Sequence, residues 1–224
     1  MKTKLLFFVP LFLLFVFTSC NEDETIQESQ TQFKSFNKPG DDTIYDIAAS
    51  SLPDEFNQLV AALTYVDKPV AEGGLDAGLI PAIQSNELQL TVFAPTDAAF
   101  VELLALLDSV RDETIDDIED VPVEIVLAVL QYHLVEGRRG SNSVVPKKNN
   151  KTIETLLGAT FQVNKDLEII DVAGLWDPLA KIGAGNPAKF ANISASNGMI
   201  HVIDKVILPL PAGDILDLWD SLEE

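Results

Sequence analysis

The stretch LTVFAPTDAAF, from Leu90 to Phe100, changes character at its centre. Its first four residues form a short apolar run that is typical of a buried strand. Pro95 has no N–H to donate, so we expect the strand to end there. Thr96 can cap a helix and Asp97 favours the positive end of a helix dipole, so we predict a helix over residues 97–110.

A strand-to-helix turn that carries a hydroxyl and a carboxylate could be an active site or only a well-capped corner. A nucleophile at such a turn needs a glycine-flanked elbow such as G-x-S-x-G, and residues 90–100 contain no glycine. Capping accounts for both Thr96 and Asp97, so we interpret them as structural residues. We predict no catalytic residue, no cofactor and no enzymatic activity.

The N-terminus predicts a lipoprotein signal peptide over residues 1–19. A positively charged start precedes an almost wholly apolar run, Leu5 to Phe17, which is too short to span a bilayer. Cys20, the only cysteine, ends the sequence FTSC, which resembles a bacterial lipobox with Phe17 in the place of the usual leucine. The resemblance implies cleavage before Cys20 and acylation of its thiol, which makes the lipid bilayer a partner.

Residues 20–40 are polar, follow no sustained period, and predict a flexible tether. The cluster Asn21-Glu22-Asp23-Glu24 resembles the surface-export signal of lipoproteins in Bacteroidetes-type bacteria, or it is simply the start of the tether. The predicted location is the bacterial cell envelope, lipid-anchored in the outer membrane, with surface exposure as the further expectation.

Charge narrows the possible partners. The chain has 15 Lys and Arg against 35 Asp and Glu, a formal net charge of −20, which would repel a nucleic-acid backbone and an anionic lipid surface alike. Hydrophobic residues make up 47% of the 224, enough for a sizeable core. The composition therefore indicates a globular domain that does not bind nucleic acid.

Periodicity places most helices early and most strands late. Asp42 or Thr43 can cap the first helix, and Pro53 suits the first position of the second. We predict helices over 44–50, 53–66, 79–85, 97–110 and from 122 through 134, and strands over 90–93, 152–155, 160–163, 167–172, 192–193 and 198–208. Because strands and helices do not alternate, the fold class is α+β rather than doubly wound α/β.

The chain contains two histidines, His133 and His201. Neither belongs to an H-x-x-x-H or H-E-x-x-H pattern, so we predict no metal site. His133 follows the helix EIVLAVLQY, where a protonated ring would favour the helix C-terminus. His201 lies within an apolar strand, and we expect structural hydrogen bonds for both. The acidic segment 112–120 lacks the ligand spacing and central glycine of a calcium loop.

Residues 138–151 form a basic loop that contains Arg138, Arg139, Lys147, Lys148 and Lys151, the main island of positive charge. The loop could contact an anionic glycan or another partner through residues such as Arg138 and Arg139. Alternatively, it is a solvated loop that balances nearby carboxylates.

Two further features concern the end of the chain. Asn197-Gly198 is a turn signal, and it predicts a hairpin that leads into the last strand. Residues 210–224 carry Ile215, Leu216, Trp219 and Leu222 at helical spacing, which predicts an amphipathic helix. The apolar face of this helix must pack on the domain or on a partner.

Three blocks of the sequence together resemble the fasciclin family. LTVFAPTDAAF resembles the first signature block, YHLVEG (132–137) the tyrosine-histidine block, and NGMIHVIDKVILP (197–209) the second signature block. Their order and spacing fit, so the resemblance implies a fasciclin-like domain over residues 41–209. It also implies a compact α+β fold in which a wedge of β-strands packs against several helices.

The resemblance implies a role in adhesion or in binding protein or glycan partners at the cell envelope, without an enzymatic mechanism. In animal members the tyrosine-histidine block is tied to receptor binding, and Tyr132 and His133 match it residue for residue; alternatively, the two are core residues in every member. The alternative is a small-molecule, carbohydrate-binding or enzymatic module that uses the insertion 173–191, in which Trp176 is the candidate contact. The sequence leaves the ligand and the oligomeric state open.

Overall fold

A computed structural model describes residues 40–51, 55–111, 113–184 and 191–223. The predictions for the signal peptide, for Cys20 and for the tether before Gly40 lie outside these residues, as do those for Pro53 and Asp112. The described residues belong to one compact unit, Ser35–Glu224. Within the described ranges, every helix is too short or too polar to traverse a lipid bilayer.

The helices are short, and most lie in the first two thirds of the chain. Thr43 caps the first with a capping box that it forms with Asp46. They are α1 (Ile44–Asp46), which continues as a π-helical turn (Ile47–Ser51), α2 (Asn57–Asp67), α3 (Leu79–Gln84), α4 (Asp97–Arg111), α5 (Val123–Tyr132), α6 (Ser141–Val144) and α7 (Ala212–Leu222). Single 3-10 turns occur at Val70–Glu72 and Ile118–Asp120.

The strands form two four-stranded sheets. The first has the order β2-β1-β8-β7 and the second the order β3-β4-β5-β6. The strands are β1 (Leu90–Pro95), β2 (Leu134–Glu136), β3 (Lys151–Glu154), β4 (Thr160–Val163), β5 (Glu168–Ile170), β6 (Ala180–Lys181), β7 (Ile193–Ala195) and β8 (Gly198–Ile203). Helices and two sheets confirm the predicted α+β class.

The first sheet is organised around β1, the strand of the LTVFAPTDAAF block. It pairs with β8 in parallel over six positions, from Leu90 with Gly198 to Pro95 with Ile203. All six residues of β1 are buried, as expected for a central strand whose apolar run does not alternate. The block at residues 90–100 and the block at 197–209 are therefore neighbours in space.

Within the described residues the second helix begins at Asn57, so Glu55 and Phe56, which the prediction included, lie before it. The cause is Asp97, whose carboxylate accepts the backbone N–H of Gln58 at 2.8 Å and the side-chain amide of Asn57 at 3.0 Å. A carboxylate from the start of α4 thus caps the N-terminus of α2, and sequence spacing gives no sign of such a distant cap.

The structure corrects the predicted secondary structure at three places that involve strands. Leu134 lies in β2 and not on the apolar face of α5, because β1 offers it an antiparallel partner, Val92. β8 ends at Ile203 rather than at 208, although Val206 to Leu208 remain buried. The insertion 173–191 contains a strand, β6, which was not predicted because its two residues carry no periodic signal.

Asn197 joins three elements at the start of β8. Its side-chain oxygen accepts the N–H of Ile44 at 2.9 Å, and its amide donates to the carbonyls of Ile83 (2.6 Å) and Ser85 (3.0 Å). The expected hairpin is present, since Ala195 pairs with Gly198 across a two-residue loop. Gly198 is needed for close approach: a Cβ there would lie 2.0 Å from the carbonyl oxygen of Leu90.

The C-terminal helix α7 packs on its own domain. Trp219 and Ile215 are buried against α2, α4 and α5. The Arg111 guanidinium lies 4.4 Å from the centroid of the Trp219 ring and forms ion pairs with Asp220 and Glu223 of the same tail. The sequence predicted that the apolar face of this helix packs either on the domain or on a partner, and in the structure it packs on the domain.

Replacing the hub asparagine, Asn197→Ala, should lower the free energy of unfolding by about 2–4 kcal/mol, because it leaves two carbonyls and one N–H buried without partners. Urea denaturation would measure the loss. Asn149→Ala, at an exposed position, is the matched control and should change stability by less than about 0.5 kcal/mol. An Asn197→Ala protein as stable as the wild type would contradict a stabilising role for the hydrogen bonds of the Asn197 side chain.

Trp219→Ala should cost about 3–5 kcal/mol, the range for removing a buried aromatic side chain. Leu218→Ala on the same helix removes a side chain that is 38% exposed and should cost under about 1 kcal/mol. Thermal and urea unfolding of both variants test whether α7 is an integral part of the domain. Equal small losses would show that the helix is only loosely attached.

Candidate functional site

The Thr96–Asp97 corner is filled by backbone contacts. Thr96 donates its N–H to Ile203 of β8 at 3.1 Å, and its hydroxyl oxygen accepts the N–H of Ala99 at 3.3 Å. Asp97 donates its own N–H to the carbonyl of Glu55 at 2.9 Å. The two residues therefore connect the first sheet to α2 and α4 through backbone and side-chain bonds, and this geometry gives them a structural role.

Tyr132, at the end of α5, points into the core beneath the second sheet. Its ring is fully buried and lies edge-on to Phe161, with the centroids 5.8 Å apart. Its hydroxyl donates to the carbonyl of Thr160 at 2.9 Å. Burial raises the pKa of this phenol, and the nearby Asp171 carboxylate raises it further. A partner cannot touch this ring in the folded domain, which corrects the expected binding role.

His133 is also buried, at 2% exposure. Its Nδ1–H donates to the carbonyl of Val129 at 2.7 Å, and Nε2 accepts the backbone N–H of Ile207 at 3.2 Å. Burial lowers the pKa of the ring to about 4, so the ring is neutral at pH 7. The expectation of a protonated ring at the helix C-terminus is therefore wrong, and so is that of an accessible binding residue.

His201 forms a similar link within the first sheet. Its Nε2–H donates to the carbonyl of Arg139 at 2.8 Å, and its Nδ1 accepts the N–H of Asn192 at 3.2 Å. Burial lowers the pKa of this ring as well. Each histidine thus bonds to the backbone through both ring nitrogens, and one bond of each reaches a segment distant in sequence, Ile207 for His133 and Arg139 for His201. Both are placed as structural residues.

The two arginines at the start of the basic loop are held differently. The Arg138 guanidinium donates to the carbonyl of Ala195 at 2.8 Å and to the hydroxyl of Ser194. The backbone N–H of Arg139 donates to the hydroxyl of Thr91 at 2.8 Å, and its side-chain Nε donates to the backbone carbonyl of Glu136. The structure therefore places Arg138 against β7 and Arg139 at the surface.

The cations of the basic loop form no direct ion pair with the described carboxylates. Across the described parts of the chain, ion pairs within 4 Å involve Lys68, Arg111, Lys165, Lys181 and Lys205, and none involves a cation of residues 138–151. Lys147 and Lys148 are exposed. Both side chains therefore face solvent, and both interpretations of the loop, a contact for an external anion or a solvated loop near carboxylates, stay predictions.

Trp176 of the insertion faces the body of the domain. Its indole N–H donates to the carbonyl of Val206 at 2.7 Å, and Lys205 lies over the ring with Nζ 5.2 Å from its centroid. Lys205 is in turn paired with Glu102. The polar atom of Trp176 and one ring face are thus in use, which does not favour a sugar-stacking role. Phe190 lies outside the described residues.

A small apolar cavity of about 40 Å³ lies among α2, α4, α5 and α7. The side chains that line it are all apolar, with Phe100, Leu107, Val129 and Trp219 among them. It offers no polar group to orient a substrate. In the four described ranges, moreover, no three His, Cys, Asp or Glu side chains gather as metal ligands.

Comparison with known proteins agrees with this geometry. The sequence model of the fasciclin domain matches residues 54–209, most of the chain. The chain belongs to the fasciclin family. The three sequence blocks are the packing framework of the domain: two pair as the central parallel strands, and the third supplies the buried tyrosine and histidine.

Relatives of this fasciclin domain include proteins from bacteria. It is 30% identical over 170 residues to immunogenic protein MPB70 of Mycobacterium bovis, covering 73% of this chain and 67% of that one. It is 32% identical over 169 residues to protein sll1483 of Synechocystis, covering 75% and 73%. The cell surface glycolipoprotein MPB83 of Mycobacterium bovis is 30% identical over 134 residues, 60% and 49% of the two chains.

Stability should fall as the pH drops from about 6.5 to about 4, because the folded protein resists protonation of His133 and the unfolded chain does not. The sign follows from the lowered folded pKa: within this window the unfolded state binds more protons. The contribution of His133 is roughly 3 kcal/mol at the acid end.

His133→Gln keeps a donor and an acceptor but cannot titrate. Urea unfolding of both proteins at several pH values isolates the contribution, since His201 and the carboxyl groups remain in each. The difference between the two stability curves should narrow toward pH 4. Parallel curves would contradict a neutral, buried His133.

Proposed function

We propose that this protein is a lipid-anchored fasciclin domain of the bacterial cell envelope that binds protein or glycan partners at the cell surface. The observation that carries the proposal is membership of the fasciclin family, whose domains occur in cell-adhesion and surface proteins. In its signature blocks, the side chains of Thr96, Asp97, Tyr132, His133, Asn197 and His201 make contacts within the fold. Recognition therefore belongs to the surface, where the basic loop stands out.

The anchor is supported by the sequence and by one relative. The FTSC sequence ends at Cys20, after an apolar run of signal-peptide length. A polar stretch of about twenty residues separates Cys20 from the domain. MPB83, which shares the fasciclin region, is a cell surface glycolipoprotein. Such an arrangement would hold a binding domain away from the bilayer.

The anchor can be tested by labelling cells that express the full chain with radioactive palmitate. The wild-type chain should incorporate the label, Cys20→Ala should not, and the matched neighbour Ser19→Ala should retain it. Mass spectrometry of the mature N-terminal peptide should find an acylated cysteine. A bare thiol at Cys20 in the mature protein would refute the lipid anchor.

Surface exposure and binding need separate readouts. Protease added to intact cells should remove the domain, while a periplasmic control protein survives. The purified full chain in nonionic detergent should retain components from a detergent extract of the envelope. A chain degraded only after cell lysis would place it inside, and a chain that retains no protein or glycan would refute the binding function.

A further inference from the structure

We propose that the basic loop, residues 138–151, is a binding surface for acidic polysaccharides, that is, glycans bearing carboxylate or sulfate groups. The inference rests on the proposed function, because it names the class of partner that the domain binds. It stands on the charge of the loop, on its rigid attachment and on the polar groups beside its cations.

The loop concentrates positive charge in an acidic protein. Its 14 residues include five cationic and no acidic side chains, a local charge of +5. The rest of the chain holds ten cationic and 35 acidic residues, a charge of −25. At physiological ionic strength charges are screened over about 8 Å, so an anion at the loop responds mainly to the local cations.

The loop is held in place at its start. Arg139 is fixed on both sides of its peptide, since the N–H of Arg139 donates to Thr91 and its carbonyl accepts from His201. Two residues later, Ser141 donates its N–H to the side-chain oxygen of Asn192 at 2.5 Å, and its hydroxyl accepts from the Asn192 amide at 2.7 Å. Both Thr91 and His201 are buried.

The far end of the loop is tied as well. Lys151 begins β3 opposite Val163, and its ammonium donates to the carbonyl of Ser143 in α6. The Asn150 amide donates to the side chain of Gln162 at 3.2 Å. The loop is thus preorganised between two sheets, which reduces the conformational entropy lost when a ligand binds.

The cations that face solvent lie among amides. Lys147 and Lys148 are exposed, and Asn149 and Asn150 follow them directly. Ammonium groups attract carboxylate or sulfate, while amides donate to and accept from sugar hydroxyls. This mixture suits a polymer that carries both anionic groups and hydroxyls.

The composition of the loop argues against other anionic partners. All the large hydrophobic side chains that the described residues expose lie outside 138–151. To bind a protein the loop would need an apolar or aromatic centre, and to insert into a bilayer it would need apolar side chains. Duplex DNA carries a charge every 1.7 Å or so and would be repelled by the acidic remainder, whereas an acidic polysaccharide carries its charges sparsely.

The test measures binding of the purified full chain, in nonionic detergent, to alginate, a polymer of uronic acids, and to neutral dextran. The protein should bind alginate at 50 mM NaCl, and this binding should weaken markedly at 300 mM NaCl. It should not bind dextran. The double variant Lys147→Gln/Lys148→Gln should bind alginate about tenfold more weakly or worse, on the scale of the energy of a lysine near an anionic surface.

The matched control is Lys165→Gln/Lys181→Gln, which removes the same charge at exposed lysines that pair with Asp166 and Glu168. It should bind alginate as the wild type does. Thermal unfolding of both variants confirms that they are folded, as expected since Lys147 and Lys148 are exposed.

Three results would overturn the assignment: no alginate binding at low salt, equal weakening in both double variants, or equally tight binding to poly-glutamate. The proposed function has its own outcome. Envelope material retained equally by the wild type and by Lys147→Gln/Lys148→Gln would support that function and refute the basic loop. Alginate binding without retention of envelope material would do the reverse.

Discussion

The domain depends on the parallel pairing of β1 with β8, two strands about a hundred residues apart in sequence. Parallel strands cannot be joined by a tight turn, so the intervening chain must supply the layers that cover them. Asn197 and Gly198 hold one end of the pair, the first through buried hydrogen bonds and the second by letting two backbones approach. At the other end, Thr96 donates to Ile203 and Asp97 reaches across to cap α2.

The histidines extend this framework. Each imidazole donates from one nitrogen to a backbone carbonyl and accepts a backbone N–H at the other. His133 joins α5 to the segment after β8, and His201 joins β8 to the basic loop. A neutral imidazole suits this task because it offers one donor and one acceptor on a rigid ring. Their burial explains how a tyrosine-histidine block can be a signature of the fold.

Binding must then use surface side chains that do not take part in the packing of the domain. The apolar cavity offers no polar group, the apolar face of α7 packs on the domain itself, and Trp176 is partly covered by Lys205. The basic loop differs because its anchoring contacts are made mostly by backbone atoms and by Arg138, which leaves Lys147 and Lys148 to solvent. Rigid attachment and available charge occur together there, and this combination favours a recognition surface.

The sequence by itself determined the α+β class, the corner at Thr96 and Asp97, the short helices near their observed ends and the family, because local signals such as capping residues, apolar periodicity and three ordered blocks specify them. It could not separate Leu134 from α5, since an apolar residue after a helix fits either element until β1 provides a partner. Only the tertiary structure decided that Asp97 caps a distant helix and that His133 is neutral. It likewise decided that Tyr132 is a core residue and that, among the described residues, the cations of the basic loop form no direct ion pair. These properties depend on contacts between residues that are distant in sequence. Such contacts, rather than the neighbours in sequence, set the burial and the electrostatic environment of each group.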